Sequence, residues 1–75
     1  MCLSIPCRVM SIEGETARVS IGGSLIEANL RLVENIKPGD YVLVHSGFAL
    51  QKISDQEAQE TLKYLKIAGI VKEDS

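Results

Sequence analysis

The chain begins Met1-Cys2-Leu3-Ser4-Ile5-Pro6, and Cys2 is the residue best placed to do chemistry. A cysteine side chain is small, so removal of the initiator methionine is expected. Cys2 would then carry both a thiol and the free α-amine. An ammonium beside a sulfur favours the thiolate, the form that attacks electrophiles and binds metals. A sulfur at a free chain end can also reach into a partner protein. Against this stands the fraying common at chain termini, which would make Cys2 a residue of no consequence. The chain's single histidine, His45, closes an apolar run. Neutral imidazole is a metal ligand, although a histidine at the end of a strand also serves in packing. The other thiol, Cys7, lies five residues after Cys2. In an extended segment the two would stand roughly 16 Å apart on opposite faces, at about 3.3 Å per residue. That geometry forbids a disulfide. The spacing is not CxxC, and there is no second cysteine pair to complete a zinc site. Cys7 reads as a small buried hydrophobe.

The elements that must position these residues follow from period and punctuation. A first strand is expected over Leu3 to Ile12, with Leu3, Ile5, Cys7 and Val9 alternating against Ser4, Pro6, Arg8 and Met10. Pro6 has no N–H, so it must turn away from a ladder partner or sit at an edge or bulge; its expected role is to fix the path of the terminus. Glu13-Gly14-Glu15 makes a turn. A second strand over Thr16 to Ile21 turns Ala17, Val19 and Ile21 to one face. Gly22-Gly23 is a hairpin signal, because paired glycines accept the positive φ of a primed turn. A third strand is expected over Ser24 to Leu32, with Ile26, Ala28 and Leu30 facing inward. Lys37-Pro38-Gly39-Asp40 reads as a β-turn around Pro38 and Gly39. The apolar run Tyr41 to Ser46 is expected to be a central fourth strand. Gly47 would allow a bend or bulge. A fifth strand over Phe48 to Ile53 would place Phe48 and Leu50 on one face and Ala49, Gln51 and Ile53 on the other, with Phe48 in the core or on its rim. Ser54-Asp55-Gln56-Glu57 is then a capping box. It opens a helix over about 55–68 whose stripe of Ala58, Leu62 and Leu65 faces the core. Gly69 suits a left-handed stop, with Ile70 touching Leu65. Residues 71–75 are expected to form a mobile tail.

The reading is therefore one domain over 1–75, mainly β: a small five-stranded OB-like or SH3-like antiparallel barrel with one C-terminal α-helix. A chain of 75 residues buries only about 60% of its unfolded surface, which favours functions of a surface or an exposed end over a walled-off catalytic cavity. The formal net charge is −2, the arginines and lysines are scattered, and there are three aromatic residues. A nucleic-acid binder normally shows a basic groove with stacking aromatics, so this class is disfavoured. The opening residues contain Arg8 and lack the apolar core of a signal peptide, and no stretch approaches a membrane span. A cytoplasmic location with reduced thiols is expected.

Two segments carry a family resemblance. The opening Met-Cys-Leu-x-Ile-Pro, together with Pro-Gly-Asp-Tyr-Val-Leu-Val-His-x-Gly-Phe-Ala-Leu over 38–50, resembles the HypC/HupF hydrogenase maturation chaperones. The Glu13-Gly14 turn and the Glu57-Ala58 pair agree. The resemblance covers nearly the whole chain. It implies a small β-barrel with a C-terminal helix and a non-enzymatic role in building the Fe(CN)2CO unit of nickel–iron hydrogenases. It implies two partners, a HypD-type scaffold protein and the precursor of the hydrogenase large subunit. No nucleic acid, membrane or permanently held cofactor is implied; iron would be a transient cargo. The family's functional N-terminal cysteine falls on Cys2, and its strand-end histidine on His45. These two are the expected iron ligands, and Cys2, Leu3, Ile5, Pro6, His45 and Phe48 the expected partner-facing set. The chain departs from the family at Ser4 (commonly alanine or glycine) and at Cys7 (commonly glycine or alanine). The rival readings are a small nucleic-acid-binding barrel and a thiol enzyme pairing Cys2 with His45 as nucleophile and base. The second lacks an orienting third residue.

Overall fold

The computed structural model describes residues 5–69. Five strands, β1 (Ile5–Glu13), β2 (Thr16–Ile21), β3 (Ser24–Asn29), β4 (Tyr41–His45) and β5 (Phe48–Ile53), are followed by helix α1 (Asp55–Ile67). The strands close into a barrel in the order β1-β2-β3-β5-β4. Four ladders are antiparallel; the fifth, β3 to β5, is parallel and consists of the single pair Asn29↔Phe48. The mainly β barrel with a terminal helix that the sequence implies is thus present, with its seam closed by a parallel contact. Leu3, Ile70 and the tail over 71–75 lie outside the described residues.

The core is built from small and β-branched side chains: Cys7, Val9, Ala17, Val19, Ala28, Val42, Val44 and Ala49. Such residues suit the narrow interior of a five-stranded barrel, where larger ones would overpack. Leu30, Val33 and Ile36, from the connection between β3 and β4, pack against this core. That connection explains why β3 stops at Asn29 rather than running to Leu32. The Leu30 amide donates to the Glu15 carbonyl at 2.7 Å, and the Val33 amide donates to the Leu30 carbonyl at 3.2 Å, so the chain turns down to plug the barrel. The turn at Lys37–Asp40 forms as expected. The Asp40 amide reaches the Lys37 carbonyl at 3.0 Å, and Gly39 has φ +97°, the positive value a type II turn needs.

Two bulges adjust the pairing. In β1 the register with β2 shifts between Val9 and Ser11, leaving Met10 unpaired. Against β4, the register shifts so that Leu43 faces Gln51 while Val44 faces Ala49, leaving Leu50 as the extra residue of β5. The bulge breaks the alternation expected for β5: Ala49 and Ile53 are buried, but Gln51 is exposed. Paired residues share a face of the sheet, so Arg8, Tyr41 and Ile53 point outward together. Helix α1 lies against this outer face. Ile53 and Ala58 are buried outside the main cluster, and the Gln59 side-chain amide donates to the Tyr41 hydroxyl at 2.9 Å.

The Ser54 half of the capping box forms, with Ser54 Oγ accepting the Glu57 amide at 3.1 Å, while the Glu57 carboxylate accepts the Ser54 hydroxyl at 3.3 Å rather than the Ser54 backbone amide. Gly69 follows the C-cap with φ +77° and donates to the Lys66 carbonyl at 3.1 Å. Only Ala58 is fully buried on the helix. Leu62 and Leu65 are half-buried rather than core residues. The later turns pass over Arg8, Met10, Ser20, Ile21 and Gly22, leaving a hollow of about 180 Å³ beside Leu62 and Lys66.

Candidate functional site

β1 and β4 pair from Arg8↔Tyr41 through Cys7↔Val42 and Pro6↔Leu43 to Ile5↔Val44. The next residue of β4 is His45, so β1 enters the barrel beside the histidine. Pro6 is accommodated by phase. The Val9 amide donates to the Asp40 carbonyl at 2.8 Å, and the Val9 carbonyl accepts the Gly39 amide at 2.7 Å. Before the bulge, odd-numbered residues of β1 therefore direct their backbone groups toward β4. Pro6, one step out of phase, directs its nitrogen toward the β2 side, where the ladder begins only at Arg8. The missing N–H costs no bond, and the ring is fully buried.

His45 is half-buried and pairs with Phe48 across a two-residue turn, Ser46-Gly47. Both turn residues have positive φ, +52° and +84°, as a type I′ hairpin requires. A tight hairpin thus stands where a bend or bulge was expected. The Gly47 carbonyl accepts the Asn29 amide at 2.8 Å, pinning the end of β3 to this turn. Phe48 belongs to the exposed rim, not the core: 40% of its surface meets solvent. Ile5 is half-buried and packs on the core.

The structure therefore brings Ile5, Pro6, His45 and Phe48 to adjoining strands at one end of the barrel. Cys2 and Leu3 lie outside the described residues. Asn29 and Ser46, which hold this end together, were not singled out from the sequence. The Ser46-Gly47 dipeptide is a turn signal that could have found the hairpin; the seam-closing role of Asn29 is a long-range effect with no local signature.

Cys7 points into the core with 1% of its surface exposed, and its Sγ lies 3.5 Å from the Ile5 carbonyl. Burial pushes this thiol up to about 11, from an ordinary 9.0. It remains protonated and walled off, unsuited to nucleophilic or ligand chemistry. The small residue at this position is a packing requirement of the barrel interior. Asp40, just before β4, is held below the usual carboxylate range mainly by the Lys37 amide, which donates to its Oδ2 at 2.9 Å; Lys52 adds to the effect. This interaction shapes the turn.

Among the described residues, no three histidine, cysteine, aspartate or glutamate side chains converge as a metal cage. Among the described residues no helix is long and apolar enough to cross a membrane. A hollow of about 280 Å³ lies on the β1–β2–β3 sheet away from His45, lined by Ser11, Glu13, Thr16, Ala17, Arg18 and Glu27.

Residues 1–65 match the model of the HupF/HypC family. The chain is 44% identical over 70 residues to a hydrogenase maturation factor HypC of Azotobacter chroococcum, spanning 92% of this chain and 83% of that protein. It is 40% identical over 76 residues to a HypC of Synechocystis, spanning 93% of this chain and all of the relative (100%). A HypC of Escherichia coli K12 is 39% identical over 72 residues, 88% of this chain and 80% of the relative. With the motif-bearing strands paired as described and these matches running through almost the full length, the chain belongs to the HupF/HypC family of hydrogenase maturation factors, whose members are chaperones and not catalysts.

Proposed function

We propose that this protein carries, or helps deliver, the Fe(CN)2CO unit from a HypD-type scaffold to the precursor of the nickel–iron hydrogenase large subunit, using the thiolate of Cys2. The observation that carries this reading is the β1–β4 ladder, which brings Ile5 alongside Val44 and so starts β1 next to His45. Cys2 stands three residues before Ile5. At a maximum of about 3.6 Å per residue, its backbone lies within roughly 11 Å of that anchor, which keeps His45 within reach of the same cargo. Thiolate and imidazole both suit low-spin Fe(II). Two protein donors hold a cargo without enclosing it, and a partner can supply the rest.

Release is ligand exchange at constant oxidation state. The Fe–S bond to Cys2 breaks as a bond forms to a cysteine thiolate of the large-subunit precursor. The proton given up by the incoming thiol passes to the departing Cys2 sulfur. Ile5 and Phe48 would form the apolar ground of the contact with either partner, while Pro6, whose ring is buried, would set the path of the chain toward Cys2.

The test is to assemble this chain with its scaffold and record the infrared cyanide and carbonyl bands with the iron content. Wild-type complex should show both bands. Cys2→Ala should lose them, and His45→Ala should weaken them. Full hydrogenase maturation supported by Cys2→Ala would end this proposal.

A further inference from the structure

Among the described residues, β3 carries a full ladder on one side only. Its ladder to β2 spans Thr16↔Asn29 to Ile21↔Ser24, whereas its contact with β5 is the single pair at Asn29. The Asn29 amide points away from β2, to Gly47. Backbone direction alternates along a strand, so the N–H and C=O groups of Leu25 and Glu27 face the same open side. Natural edges of this kind are usually blunted by lysine, proline or a bulge. Over Ser24–Ala28 this one has none of these. Leu25 is 59% exposed, and Ile26, although paired with the buried Val19, is 41% exposed because among the described residues no strand covers the seam beside it. Ile26 thus takes the inward face expected of it, but the seam leaves that face partly uncovered.

Charge selects the occupant. Glu27 is the only charged residue of β3, and it also lines the 280 Å³ hollow together with Glu13 and one cation, Arg18. A second copy of the chain would bring another Glu27 and no balancing cation on its own β3. Stable dimers also bury about 800 Å² of each partner, far more than five residues of edge present. We infer that the open edge of β3 accepts one extended strand of a partner protein, with apolar residues on the face toward Ile26 and lysine or arginine on the face toward Glu27 and Glu13. Main-chain bonds to Leu25 and Glu27 hold the strand, and its alternating side chains select it. The inference uses neither Cys2 nor His45, so its failure would leave the iron-carrying proposal untouched.

Short synthetic peptides of alternating valine and lysine, or valine and glutamate, are suitable probes for the full-length protein. The lysine peptide should slow hydrogen exchange at the Leu25 and Glu27 amides, with Ile26 and Ala28, already bonded to β2, little changed. The glutamate peptide should not. Leu25→Pro removes an edge donor without breaking a ladder bond and should weaken binding about tenfold, the worth of roughly one hydrogen bond. Glu27→Lys should reverse the preference between the two peptides. Equal binding of both peptides, protection confined to other strands, or protection of Leu25 and Glu27 that appears on concentrating the protein alone would each overturn the inference; the last outcome would assign the edge to a second copy.

Discussion

Replacing Cys7 by alanine should produce a variant that is less stable than its parent near neutral pH and more stable at high pH. The thiol is ordinary in the unfolded chain, near 9.0, and rises to about 11 in the barrel. The folded state therefore holds its proton where the unfolded state releases it. The stability this contributes is intact below pH 9.0 and declines as pH rises toward about 11. Two pH units correspond to about 2.7 kcal/mol in full, and about half of that is lost by roughly pH 10. Removing one buried sulfur costs about 1 kcal/mol in contacts and cavity. The stability curves of the two proteins should then cross near pH 10. The assay is urea unfolding followed by circular dichroism at a series of pH values, with Cys2→Ala present in both proteins so that a single thiol titrates. Lysines and tyrosines titrate alike in both and cancel in the difference. Parallel curves from pH 8 to 11 would refute the reasoning and place the Cys7 sulfur in contact with water.

Two further substitutions probe the elements around the site. Ser54→Ala removes the oxygen that accepts the Glu57 amide and should cost about 1 kcal/mol in thermal unfolding, with Ser54→Asp restoring most of it. Gly47→Ala forces a Cβ into a backbone at φ +84° and should cost roughly 1–2 kcal/mol; hydrogen exchange at the Asn29 amide should speed up, since that amide bonds to the Gly47 carbonyl.

Where local signals decided the outcome, the sequence was a good guide. The paired glycines at 22–23, the Pro38-Gly39 turn and the Ser54 helix cap each act over a few residues, and each formed where it was read. What escaped was set by distant partners. Leu32 has the composition of a strand residue, but the plug made by Leu30, Val33 and Ile36 ended β3 at Asn29. The extra residue at Leu50 arises from how β5 fits β4, and nothing in the segment Phe48–Ile53 announces it. Leu62 and Leu65 carry a helical stripe that the barrel only half covers. The candidate site divides in the same way. His45 at a strand end and Pro6 near a strand start were legible by type and spacing. Their arrival on neighbouring strands depends on β1 meeting β4, a pairing that no local pattern encodes.

That pairing also sets an order of events when the chain folds. β1 with β2, β2 with β3, and β4 with β5 are hairpins that close over a few residues. β1 with β4 joins segments separated by about half of the chain, and contacts of that range close late because the intervening chain must first give up its freedom. During synthesis the opening strand has no β4 to rest on until His45 has left the ribosome. The strand that leads from the thiol is made before β4 and is anchored on it only afterwards.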